Sequence, residues 1–216
     1  MGICRPKFTT IEPIFASITD LMQIYPKYQQ QSVKIISMDY KAKYRYEDYD
    51  SNYPALFEKE AEVINKTLVG KNYEMQHFGS TSIPNVGGKG IIDIYIATGK
   101  ENFEEFTKLL EKIGYEMRES GGTEDRIFHH KVVTDENGKQ QIFHVHVTHF
   151  GYEDYHRSLE FRDYLRSHPD LAKKYSDIKK KASEEALKYD DKDMMKKIYM
   201  EIKEPVIKEI LQKLNK

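Results

Sequence analysis

HFGSTSIPNVGGKGIIDIYI, residues 77–96, reads as the end of a strand followed by a small-residue turn at Gly79, Ser80 and Thr81. A glycine-rich connection through Asn85, Gly87, Gly88 and Gly90 then leads into a buried strand from Ile91 to Ile96. Successive side chains of a strand alternate faces, so Ile92, Ile94 and Ile96 share one side while Ile91, Asp93 and Tyr95 share the other. Asp93 therefore leaves the sheet opposite its apolar face. A carboxylate among β-branched residues is costly to desolvate unless it is paired, hydrogen-bonded or bound to a metal. Two readings of Asp93 follow: an ion pair with a basic residue or a cap on a neighbouring element, or a functional role. The turn has two readings as well. It is either a tight turn of the kind any Gly-Ser pair makes, or a loop whose hydroxyls and backbone N–H groups approach a phosphate.

The flanking sequence predicts a mixed α+β architecture. A helix from about Tyr53 to Leu68 presents Leu56, Phe57, Ala61 and Ile64 as a stripe and stops at Gly70. A strand from Tyr73 to Phe78 enters the turn. Beyond Gly99, the spacing of Phe103, Phe106, Leu109, Leu110 and Ile113 predicts a helix ending at Gly114, placed to cover the apolar face of the Asp93 strand. Arg126–Val133 and Gln140–Thr148 form a hairpin with Asn137-Gly138 as its turn signal. In the second of these strands Ile142, His144, His146 and Thr148 share a face. His-x-His on a strand is a metal-ligand spacing, and equally that of a hydrogen-bonded structural pair.

The remainder is helical. Tyr155, Leu159, Arg162 and Arg166 lie on one helix that Pro169 interrupts, and Pro169 opens the next helix at its first turn. There Leu171, Tyr175, Ile178 and Ala182 are expected inside, with Lys173, Lys174, Lys179, Lys180 and Lys181 read as a solvated face in preference to a phosphate-binding surface. A last helix from Asp191 to Leu214 is expected to bend or split at Pro205. At the other end of the chain, Pro13–Tyr25 has the spacing of an amphipathic helix and Val33–Met38 that of a short strand.

Composition narrows the function classes. Thirty-four basic residues stand against thirty-five acidic ones, so no overall field favours nucleic acid or an anionic membrane. One cysteine excludes an internal disulfide and fits a reducing compartment, and no apolar run approaches the ~18 residues of a membrane span. A cytoplasmic protein is the expectation.

A Gly-Ser pair after a strand, followed by a strand bearing Asp, resembles the signature of the nucleotidyltransferase-like superfamily. Within it, GSTSIPNVGGKGIIDI is similar to the GrpB family motif, which usually runs close to GSTAVPGLAAKPIIDI. YDSNYPALFEKE at 49–60 and FRDYLRSHPDLAKKYSDIKK at 161–180 resemble two further family segments. The resemblance implies a nucleotidyltransferase-like mixed sheet with helices on one side and a C-terminal helical region. Residues 45–214 would form that domain, with the sheet core to about 150 and helices over 152–214, and residues 1–44 would be an extension packing on it.

For the chemistry, the resemblance implies a divalent metal, Mg or Mn with Zn also possible, held by Asp93 with His144 or His146. Gly79, Ser80, Thr81 and Lys89 would bind phosphate, with Arg126, Arg162 and Arg166 as further clamps unless Asp163 or Glu160 claims the arginines. The partner would be a nucleotide or other phosphorylated small molecule. Two departures stand out: Lys89-Gly90 replaces the family's Lys-Pro, and Tyr95 occupies the place of the superfamily's second carboxylate. Function therefore has two readings. One is metal-dependent nucleotidyl transfer; the other is a catalytically degenerate nucleotide-binding or scaffold module.

Overall fold

The computed structural model describes residue 41 and residues 44–214 of the chain. The expected helix at Pro13–Tyr25 and strand at Val33–Met38 lie outside the described residues. Five strands form one sheet: β1 (Glu74–Phe78), β2 (Ile92–Thr98), β3 (Glu116–Met117), β4 (Arg126–Thr134) and β5 (Gln140–His149). Their spatial order is β1-β2-β5-β4-β3. The pair β2/β5 is parallel and every other neighbouring pair is antiparallel.

The apolar alternation of β2 and β5 builds the core. Ile92, Ile94 and Ile96 with Phe143, Val145 and Val147 face helix α1 (Tyr53–Thr67) and helix α2 (Phe103–Glu111), which contribute Ile64, Phe106 and Leu110. Each such side chain, fully buried, stabilises the fold by roughly 1.5–3 kcal/mol. Pro54 sits in the first turn of α1, where its missing N–H leaves no helical bond unmade. Beneath the sheet Lys131 Nζ meets Glu60 Oε1 at 2.8 Å, and the Tyr115 hydroxyl donates to the same oxygen at 2.9 Å.

Three helices follow: α3 (Glu153–Ser167), α4 (Pro169–Ala186) and α5 (Lys192–Leu214). Pro169 separates α3 from α4 as expected, with His168 before it held out of the helical region at φ −130°, ψ 76°. Pro205 does not split α5, which runs unbroken through it. The proline removes one helical N–H, and burial of Met195, Val206 and Ile210 holds the helix across that gap. A second cluster joins Ile83 and Val86 of the glycine-rich connection to Leu165, Ala172, Val206 and Ile210. The connection is thereby fastened to the C-terminal helices. A third cluster places Tyr155 of α3 on Tyr95 and Ala97, so α3 covers one side of the second sheet face.

Candidate functional site

Strand register assembles the site. Asp93 pairs with His144 across the parallel β2/β5 ladder, and Tyr95 pairs with His146. All four side chains therefore project from the face opposite the isoleucines. The His144 Nδ1 lies 3.3 Å from Asp93 Oδ1, and Asp93, His144 and His146 each offer a ligand atom within 4.8 Å of the others. Among the described residues no lysine or arginine lies within 4.0 Å of Asp93, and the basic group beside this carboxylate is the His144 imidazole. Burial drives the His146 imidazole down to about 3, with Arg126 and His144 pushing the same way against Asp93. The ring is neutral at ordinary pH, and its Nδ1 is buried without a hydrogen-bond partner among the described residues. A neutral imidazole with an unused nitrogen is the form that ligates a metal.

Gly79 closes the turn onto this group. Its backbone adopts φ 71°, ψ −174°, a region essentially reserved for glycine, and a Cβ there would stand 2.5 Å from Asp93 Oδ2. Ser80 follows and is half-buried. Thr81 is placed differently from the expectation that its hydroxyl meets phosphate. It is buried, donates to Ile91 O at 2.8 Å and lies 3.0 Å from His77 Nε2, which therefore carries the proton. Thr81 and His77 thus tie the turn to the start of β2. Burial lowers His77 to about 4, consistent with a neutral donor stacked on Phe57.

The arginines divide. Arg162 donates to His77 O at 2.7 Å and Gln76 Oε1 at 3.0 Å and pairs with Asp163, while Arg166 donates to Ser82 O at 2.9 Å. Both brace the backbone of the turn from α3. Arg126 stands near His146 on the same sheet face; its Nη2 donates to Gly121 O at 3.2 Å, and its Nε is buried with no partner among the described residues. Tyr95 stacks on Phe78 with ring centroids 3.9 Å apart and meets Tyr155 edge-on. The residue in place of a second carboxylate is therefore committed to packing under α3. By register, His146 of β5 lies directly beside Tyr95.

Residues 44–213 match the family model described as GrpB protein. The chain belongs to the GrpB family. It is 30% identical over 174 residues to the UPF0157 protein YqkA of Bacillus subtilis, covering 80% of this chain and 46% of that protein, so it spans about half of that relative. The UPF0157 protein BH1888 of Halalkalibacterium halodurans is also 30% identical, over 78% of this chain and 80% of that one. The crystal structure of conserved protein GrpB from Enterococcus faecalis superposes with a TM-score of 0.59 at 28% identity, over 76% of this chain and 98% of that chain.

Within this GrpB fold the solvated-face reading of Lys179 is overturned. The buried stripe of α4 is Ala172, Ser176, Lys179, Ala182, Ser183 and Ala186, and Lys179 sits in its middle. Its Nζ donates to Gly87 O at 2.6 Å. The sequence signal was the run of small residues three and four apart on either side of this lysine, a close-approach face that the larger Leu171, Tyr175 and Ile178 obscured. Lys89 is exposed at the rim, its Nζ 5.9 Å from the Tyr199 ring centroid. The segment before α1 adds one more part. Glu47 bridges to Gly88, while Tyr46 and Gly87 share the Ser176 hydroxyl, which closes the glycine-rich connection from above.

Proposed function

We propose that the cleft binds a divalent cation and a nucleoside triphosphate together and serves nucleotidyl transfer. The observation that carries the reading is the convergence of Asp93, His144 and His146 within 4.8 Å beside the Gly79-Ser80 turn. The donor set suits a metal: one carboxylate, and two imidazoles of which His146 has an unused buried nitrogen. When bound there, the ion would act as a Lewis acid on a phosphate oxygen. Two nitrogens and one acid favour Zn²⁺ or Mn²⁺ over Mg²⁺, which prefers several oxygen ligands.

This chain's own groups have separate tasks. The Ser80 hydroxyl donates to a phosphate oxygen, Lys89 offsets phosphate charge from the rim, and Asp93 and the imidazoles orient the α-phosphate. An acceptor hydroxyl oxygen then bonds to the α-phosphorus as the α–β bridging bond breaks, with pyrophosphate leaving and the hydroxyl proton passing to solvent. A second reading, a nucleotide-binding module without transfer, is favoured by Tyr95, since two-metal chemistry ordinarily recruits more than one acid.

Calorimetric titration of Zn²⁺, Mn²⁺ and Mg²⁺, with and without nucleoside triphosphates, tests both. Mg²⁺ is expected to bind weakly alone and with positive coupling to nucleotide of about 1–3 kcal/mol, lost in Asp93→Asn. Zn²⁺ is expected to bind without nucleotide and to lose affinity in His146→Ala. Binding with no release of pyrophosphate toward any acceptor favours the module. Failure of every nucleotide to bind under all conditions refutes both.

A further inference from the structure

Three lysines from separate segments gather where the glycine-rich connection meets the helices. Lys179 of α4 is buried, and a Cβ placed on Gly88 would lie 2.6 Å from both its Nζ and the Ser80 Oγ. Ammonium and hydroxyl thus face one another across a residue with no side chain. Lys203 of α5 and Lys89 of the connection approach one ring, their Nζ atoms 5.0 and 5.9 Å from the Tyr199 centroid. Among the described residues neither Lys179 nor Lys203 forms an ion pair within 4.0 Å. Holding the like charges of the buried Lys179 and the half-buried Lys203 near one another is unfavourable unless an anion joins them. A brace for Gly87 O would need only a neutral donor, and one lysine would serve a singly charged ligand.

We propose that Lys89, Lys179 and Lys203, with Ser80, form a polyphosphate subsite of the cleft. It rests on the nucleotide reading for the identity of the natural ligand, while the recognition of linked phosphates stands on the lysines. Ammonium groups on flexible stems suit phosphate as point charges, and three of them suit a chain of two or three phosphates. The site lies beside the Asp93 group: Asp93 is near enough to oppose the fall of the Lys179 ammonium to about 7, a fall that burial, Lys203 and Lys89 produce. Those groups, on β2, α5 and the connection, are the charges that face Lys179, with the Tyr175 ring on its own helix. An arriving polyphosphate adds negative charge and restores the proton.

The test uses the full chain in chelator, free of divalent ions, with inorganic tripolyphosphate, pyrophosphate and phosphate as probes in calorimetry. Tripolyphosphate is expected to bind most tightly and phosphate least. Lys203→Gln and Lys89→Gln should each weaken tripolyphosphate roughly tenfold or more, and Lys180→Gln, an exposed neighbour over the Tyr46 ring, should leave it unchanged. At pH 8, in buffers of different ionisation enthalpy, wild-type binding should take up part of a proton, and Lys179→Met, checked for a wild-type unfolding midpoint, should not. Should Lys179→Met misfold, the Lys203→Gln and Lys89→Gln variants and the wild-type proton uptake still decide the matter. Wild-type affinity in both Lys203→Gln and Lys89→Gln overturns the subsite. So does nucleotide binding with metal but no binding of tripolyphosphate without it, an outcome that leaves the nucleotide reading intact. No binding of any phosphate compound, with or without metal, removes both.

Discussion

Replacing Gly79 by alanine probes the contact that joins the turn to the candidate metal ligands. The backbone there, at φ 71° and ψ −174°, costs a residue with a side chain about 1–3 kcal/mol. The added Cβ would also lie 2.5 Å from Asp93 Oδ2 and 3.2 Å from Asp93 Cβ, an overpacking of about 1–3 kcal/mol. Together these give a loss of roughly 2–6 kcal/mol, a large share of the ~5–15 kcal/mol that holds a domain folded. Gly70→Ala is the control. Gly70 has φ 78° but nothing within 4 Å of its Cβ position, so it should lose only about 1–2 kcal/mol. Urea unfolding followed by circular dichroism, with m unchanged, measures both. Relief of the contact requires Asp93 to swing aside, so Zn²⁺ affinity should fall in Gly79→Ala and not in Gly70→Ala. Equal destabilisation in the two variants, with metal binding intact, would show that the turn does not clamp the carboxylate.

Three further outcomes are expected. Lys131→Met should destabilise by about 3–5 kcal/mol because it strands the buried Glu60 carboxylate, and adding Glu60→Leu should recover most of that; urea midpoints that fail to recover would count against the pair as the cause. Burial lowers both His77 and His129 to about 4, below the ordinary 6.5. The unfolded chain then binds more protons than the native one between those values, so stability should fall as pH drops through that window, by up to about 1.4 kcal/mol per pH unit for each histidine. Flat urea midpoints from pH 6.5 to 4.5 would contradict this. Thr81→Val should cost about 1–3 kcal/mol by leaving His77 Nε2–H without an acceptor, whereas Ser80→Ala should stay within ~0.5 kcal/mol and weaken nucleotide binding instead. The reverse pattern in paired unfolding and calorimetric measurements would reassign the two hydroxyls.

Local pattern carried much of this fold. The period-2 run of isoleucines placed Asp93 opposite the core, the helical spacing of Phe103, Phe106 and Leu110 predicted the covering helix, and Asn137-Gly138 marked the hairpin turn. These features depend on neighbours within a few residues, so the chain itself displays them. Whether Asp93 meets His144 does not. It depends on the parallel register of β2 and β5, strands separated by two others in sequence, and a slip of one residue would have sent both imidazoles to the opposite face. The fates of Thr81, Arg162 and Arg166 were equally hidden, because a hydroxyl or guanidinium that suits a phosphate suits a backbone carbonyl as well. Lys179 looked like one solvated charge among five. The small residues three and four apart around it mark a close-approach face, but its burial follows from the packing of α4 against the glycine-rich connection, where residues without side chains leave room for an ammonium.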